Sequence, residues 1–309
     1  MDLSASHPMP SMNTQTRSLT FAGFFAVSIV FWWRALAETL KLALSNDAYT
    51  HILLILPCSA ALIYLNGKNS RAHNLERDRP SASLAGVVLL VVSLLIAGYA
   101  RWEMTLSSVD LPNNLRLSLS MFTLVVCWIA SVIFCFGTRT FRSLLFPLCF
   151  LFLIVPLPQF VLDSIVEFLQ YQSAFASRIL FRAAGVPATQ DGIMVFIPGL
   201  NIEVARECSS IRSSLILIVI TLIVAELFLR TWWRKALLVA AAIPLSVAKN
   251  GLRIFTIGEL GTRVDPAFLN GKFHHNGGVI FLGIAVVCML ALLWILQRAE
   301  SRFVAPEKL

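Results

Sequence analysis

One cysteine stands among charged and hydroxyl residues in VARECSSIRSS, residues 204 to 214, directly ahead of a long apolar run. A thiol attacks a carbonyl carbon as its thiolate, and nearby cations or a helix N-terminus favour that form. Glu207 precedes Cys208, Arg206 and Arg212 flank it, and the apolar run predicts a helix whose first turn follows the thiol. Two further polar groups interrupt apolar sequence downstream. AKNGLRI, residues 248 to 254, carries Lys249, Asn250 and Arg253, and FHHNGG, residues 273 to 278, carries His274 and His275. A histidine near neutral pH takes and returns the proton that acyl transfer moves at attack and at departure. An arginine stabilises the oxyanion between those steps. Thiol, imidazole and guanidinium together point to nucleophilic acyl transfer, a chemistry that side chains carry without a metal or cofactor.

Each residue also has a plainer reading. A cysteine in an apolar chain is by default a buried structural thiol, which is how Cys58, Cys127, Cys135, Cys149 and Cys288 are read, all of them inside apolar runs. Intramembrane cations snorkel or pair, although charge inside a span is first of all a functional-site hypothesis. Loop histidines are commonly just solvated. The groups around Cys208, Arg253 and His274 stand apart because membrane topology brings them to one face.

That topology follows from composition. Of 309 residues, 57% are hydrophobic and only 14% charged, against about 25% charged in soluble domains, and the mean hydropathy is +0.77. The fold class is an all-α polytopic membrane protein. Unpaired backbone amides in lipid cost several kcal/mol, and no alternating barrel pattern competes with helices. Apolar runs near 19–36, 49–66, 82–100, 117–137, 141–157, 211–229, 236–258 and 278–297 predict about eight transmembrane helices, each matched to a hydrocarbon core of roughly 30 Å. Ala35-Leu36-Ala37 resembles a signal-peptidase site, but Trp32, Trp33 and Arg34 before it read as an interfacial anchor, so the first helix is expected to be retained.

Between the fifth and sixth spans the apolar residues are diluted. FVLDSIVEFLQYQSAFASRILFRA keeps helical spacing and predicts an amphipathic helix or helix pair on the membrane surface, and QDGIMVFIPGLNIEVAREC predicts a short hairpin or extended segment. With the N-terminus inside, Arg17, Lys68, Arg71, Arg139, Arg230 and Arg298 all fall in inward loops together with most other loop cations. The positive-inside rule then puts both termini in the cytoplasm and turns residues 158–210 and 259–277 outward. The expected organisation is a flexible cytoplasmic N-terminus (1–18), one transmembrane domain (19–298) and a cytoplasmic tail (299–309).

The net charge of +8 is scattered through short loops, with no basic face or nucleic-acid motif, which excludes nucleic acid as a partner and leaves membrane lipid headgroups. No C-x-x-C occurs, so zinc and thioredoxin-like redox motifs are absent.

ECSSIRSS (207 to 214), AKNGLRI and FHHNGG, in that order and on one membrane side, resemble the motifs of the exosortase and archaeosortase membrane transpeptidases. Upstream, NDAYTHILLILP (46 to 57) resembles that family's Asp-Tyr-Ser-His-Gly segment, and LFLIVPLP (151 to 158) its Pro-Leu-Pro ending. The resemblance implies an outward-facing Cys, Arg and His site in a bacterial inner membrane. It implies exported protein substrates whose C-terminal sorting signal holds a motif such as Pro-Glu-Pro, a transmembrane helix and a basic tail. By that resemblance Cys208 is the nucleophile, Arg253 orients the site or stabilises the oxyanion, and His274 is the acid and base. His275 is the alternative base, and Glu207, Arg212 and Asn250 support. No cofactor is implied, and the acceptor nucleophile is left unknown. One departure is Ser210, which stands where the family often has Gly and so removes easy access to positive φ after the nucleophile.

Two other classes remain open from the residues alone. In a transporter or channel, Lys249, Asn250 and Arg253 would line an anion path and Cys208 would be dispensable. In a scaffold of an envelope secretion assembly, none of these side chains would be individually required.

Overall fold

A computed structural model describes residues 14–71, 84–106, 113–205, 211–265 and 278–304. It divides into two compact units that meet in sequence at Gln159 and Phe160.

The first unit is helical. Helices α1 (Thr14–Phe31) and α2 (Trp33–Ser45) are set 70° apart at Trp32. A 3-10 turn at Asp47–Tyr49 leads into α3 (Ile52–Arg71). There follow α4 (Leu84–Leu106), α5 (Asn113–Ser143) and the short α6 (Leu145–Phe150), continued as a 3-10 turn to Ile154. Gly86 lets α4 approach the backbone of Phe134 on α5, where a Cβ would stand 2.8 Å from the Phe134 nitrogen. Small residues permit such contact between membrane helices, where lipid tails leave no hydrophobic drive for association. Trp128 Nε1 donates to Ser28 Oγ at 2.8 Å, tying α5 to α1.

The two upstream segments singled out in the sequence meet here. Tyr49 Oη donates to the Leu157 carbonyl at 3.0 Å, and Ser118 Oγ donates to the Pro156 carbonyl at 2.6 Å. Both carbonyls sit in the VPLP turn, where prolines supply no N–H and push the preceding residue out of the helical region; Val155 is accordingly extended at φ −71°, ψ 117°.

The second unit carries α7 (Gln159–Ala183), a three-stranded antiparallel meander of β1 (Thr189–Asp191), β2 (Met194–Ile197) and β3 (Leu200–Glu203), then α8 (Ile211–Phe228), α9 (Trp232–Arg263) and α10 (Gly278–Val304). Helix α7 is one continuous helix, and its buried positions Leu162, Val166, Leu169, Ser173, Ser177 and Phe181 recur at three- and four-residue steps along a single stripe. The meander turns at Pro198-Gly199, where Pro sets φ and Gly199 takes φ +82°, the pairing of a type II turn. Ala174 and Phe181 of α7, Val195, Ile197 and Val204 of the meander and its exit, and Ile254 of α9 form one apolar core. A second core joins Ala225, Leu238, Met289 and Leu293 from α8, α9 and α10.

Each expected span overlaps a helix, but the described residues do not give eight straight crossings. Among the described residues five helices are long and apolar enough to cross a membrane, and up to seven if each of two bent pairs, α1 with α2 and α6 with α7, is one span. The helical part of the expected span at 141–157, Leu145–Ile154, rises only about 15 Å before the proline turn, too short to cross by itself. Residues 14–17, expected to be flexible, already belong to α1.

Candidate functional site

The buried polar residues in the middle of α9 lie on one face. Ser246, Lys249, Asn250 and Arg253 recur at three- and four-residue steps and are all buried, with Lys249 4%, Asn250 1% and Arg253 8% exposed. A buried charge is costly unless its donors find acceptors, and the hydrogen bonds of this face lead to two other helices. Lys249 Nζ donates to Ser213 Oγ at 2.5 Å, in the first turn of α8, and lies 3.5 Å from Asn250 Oδ1. One residue on, Ser214 Oγ accepts from Ser246 Oγ. Toward α7, Asn250 Nδ2 donates to Ser173 Oγ at 3.3 Å. A polar strap thus runs α7, α9, α8 through residues separated by up to 77 positions in sequence.

Gly251 permits this approach. A Cβ at that position would stand 2.5 Å from Ala176 Cβ and 3.1 Å from α7 backbone, so the two helices touch where α9 lacks a side chain. Seven residues on, Gly258 accommodates the Phe181 ring in the same manner.

The stretch that leads into the cysteine motif is held as well. Gln170 Nε2, buried on α7, donates to the Val204 carbonyl at 2.6 Å, and the Val204 amide donates to the Ile193 carbonyl at 3.1 Å. Val204 itself is fully buried. The backbone is therefore anchored four residues before Cys208 and the side chains of Ser213 and Ser214 are anchored five and six residues after it. Cys208 itself, with Arg206, Glu207, His274 and His275, lies outside the described residues.

Electrostatically the described part is positive. The Lys249 ammonium sits at the first turn of α8, the positive end of that helix, and Arg253 follows one turn along α9, an arrangement suited to stabilising negative charge. Arg212 sits on the exposed side of that same first turn. Among the described residues no group of three or more His, Cys, Asp or Glu side chains is placed to share a metal ion.

The structure thus brings Lys249, Asn250 and Arg253 together on α9 and sets Lys249 against the start of α8. Sequence reasoning missed Gln170, Ser173, Ser213, Ser214 and Ser246 as the partners. For Gln170 and Ser173 a signal existed, since both fall on the apolar stripe of α7 where a polar residue needs a partner.

A family model described as transmembrane exosortase matches residues 32–291. No curated protein and no solved structure matches the chain.

Proposed function

The chain belongs to the transmembrane exosortase family, and from that premise we propose that it is a cysteine transpeptidase acting on exported proteins that end in a sorting signal: a Pro-Glu-Pro-like motif, a transmembrane helix and a basic tail. One observation carries this reading. The matched region contains ECSSIRSS, AKNGLRI and FHHNGG in order, and the second of them presents a buried lysine against the helix start that follows Cys208.

In this mechanism the Cys208 thiolate adds to the carbonyl carbon of the scissile peptide bond, and Arg253 stabilises the oxyanion. Collapse expels the amine of the C-terminal fragment, which takes its proton from His274, with His275 the alternative, and leaves a thioester on Cys208. An acceptor amine or other nucleophile then attacks the thioester, gives its proton to the histidine and releases the thiolate. Water in the acceptor's place gives hydrolysis. Glu207, Arg212 and Asn250 support the site. The enzyme sits in the bacterial inner membrane with both termini cytoplasmic and the site facing the periplasm, and the outward segment from 158 to 207 shapes the cleft that receives the substrate helix.

An anion path along α9 is disfavoured by the residues that follow the strap. Between Ser246 and Arg234 its buried residues are Ala242 and Leu238, which offer an anion nothing.

The test is co-expression of a tagged substrate carrying such a signal with wild type, Cys208→Ala, Arg253→Ala, His274→Ala and His275→Ala. Loss of processing in Cys208→Ala at unchanged membrane level supports the nucleophile, and the histidine variant that also fails identifies the base. Normal processing by Cys208→Ala refutes the reading.

A further inference from the structure

We propose that Lys249 is a positioning residue for the nucleophile, acting through Ser213 to fix the first turn of α8 and thereby the chain that carries Cys208; this rests on the reading of Cys208 as nucleophile. A lysine is an expensive choice for a buried site. The residue is 4% exposed and its ammonium donates to two neutral oxygens, Ser213 Oγ and Asn250 Oδ1. It also stands four residues from Arg253 on the same face, where like charges repel. Packing alone would be served better by a methionine or leucine of similar length. What the ammonium adds is reach and direction. From a helix already locked to α7 by Asn250 and Gly251, it spans to the third residue of α8 and grips the hydroxyl there. Ser246 repeats the grip on Ser214, so two consecutive residues of one turn are held by α9. Ser213 is five positions after Cys208, and rotation of this turn would carry the attached chain with it.

A thiol placed for attack depends on such support, because an ångström of misplacement of a reacting group costs on the order of 100-fold in rate. Lys249 is thus distinguished from Arg253, which in the proposed mechanism faces the oxyanion.

The experiment uses the full chain in membranes and two readouts: processing of the tagged substrate, and the rate at which iodoacetamide modifies Cys208, followed by mass spectrometry of the peptide that bears it. Lys249→Met and Ser213→Ala are each expected to lower processing about 10-fold or more and to change the Cys208 alkylation rate in the same direction. The double variant should be no worse than the more severe single one, the sign of a shared path. Lys249→Arg and Ser213→Thr should recover part of both. If Lys249→Met fails to accumulate, Ser213→Ala, which deletes one hydroxyl, decides alone. Wild-type processing and alkylation in Ser213→Ala, or strictly additive losses in the double variant, would overturn the proposal. Alkylation needs no substrate, so it separates this outcome from failure of the transpeptidase reading: Cys208→Ala that still processes sinks the latter, whatever the Lys249 variants do to the thiol.

Discussion

Gly251 of α9 lies against Ala176 of α7 so closely that a Cβ on the glycine would stand 2.5 Å from the alanine's own. The Asn250 to Ser173 hydrogen bond depends on that contact, since it joins the same two helices less than one turn away. Gly251→Ala is therefore expected to push α9 off α7, costing about 1–3 kcal/mol through overpacking. Thermal unfolding in detergent should show a lower midpoint, whereas Gly23→Ala, with nothing within 4 Å of a Cβ, should leave it unchanged.

Gln170 offers a different kind of test. Gln170→Leu keeps the bulk but removes the donor to the Val204 carbonyl, leaving a buried acceptor unpaired at a cost of about 1–3 kcal/mol. Hydrogen exchange at the Val204 amide, which bonds to Ile193, should speed up measurably. Unaltered exchange there would show that the meander alone holds the chain ahead of the cysteine motif.

Arg253 is expected to resist its nominally conservative replacement. A guanidinium offers a planar fork of donors that an ammonium lacks, so Arg253→Lys should lose at least about 10-fold in substrate processing while reaching wild-type membrane levels. Retention of full rate would reduce the role of Arg253 to charge alone.

The opposite end of α9 supplies a control. Glu300 on α10 accepts from the backbone amides of Arg230 at 3.1 Å and Thr231 at 2.8 Å and from the Thr231 hydroxyl, and pairs with Arg234 at 3.8 Å. Nineteen residues of helix, about 28 Å, separate Arg234 from Arg253. Glu300→Ala should lower the unfolding midpoint by leaving those amides uncapped, yet leave processing per folded molecule within about twofold. A large loss of processing per folded molecule would mean that the two ends of α9 are coupled.

Much of the architecture was legible in the residues. Three- and four-residue spacing of Leu162, Val166 and Leu169 announced α7, and Pro198-Gly199 announced the turn that makes the expected hairpin a three-stranded meander. Bends were harder. Trp32 and Trp33 anchor an interface in any helix, and nothing in their types says that the chain turns 70° between α1 and α2. The candidate site divides in the same way. Lys249, Asn250 and Arg253 stand out because charge is rare inside a span. The serines do not, since a serine in a membrane helix bonds its own backbone, as Thr221 does to Leu217, as readily as it bonds a neighbour. Only the packing of α8 on α9 shows that Ser213 and Ser214 do the second.

The strap also bears on how the protein is made. Of the five helices suited to crossing a membrane among the described residues, α9 is the least apolar, and one lysine or arginine near the centre of a lone helix opposes insertion by about 2.5–3.5 kcal/mol. One oxygen that satisfies Lys249, Ser213 Oγ, comes from α8, synthesised immediately before it, and the partner of Asn250 comes from α7, earlier still. By the time α9 leaves the ribosome its polar face has partners on helices already made, so α8 and α9 are suited to enter the bilayer as a hairpin.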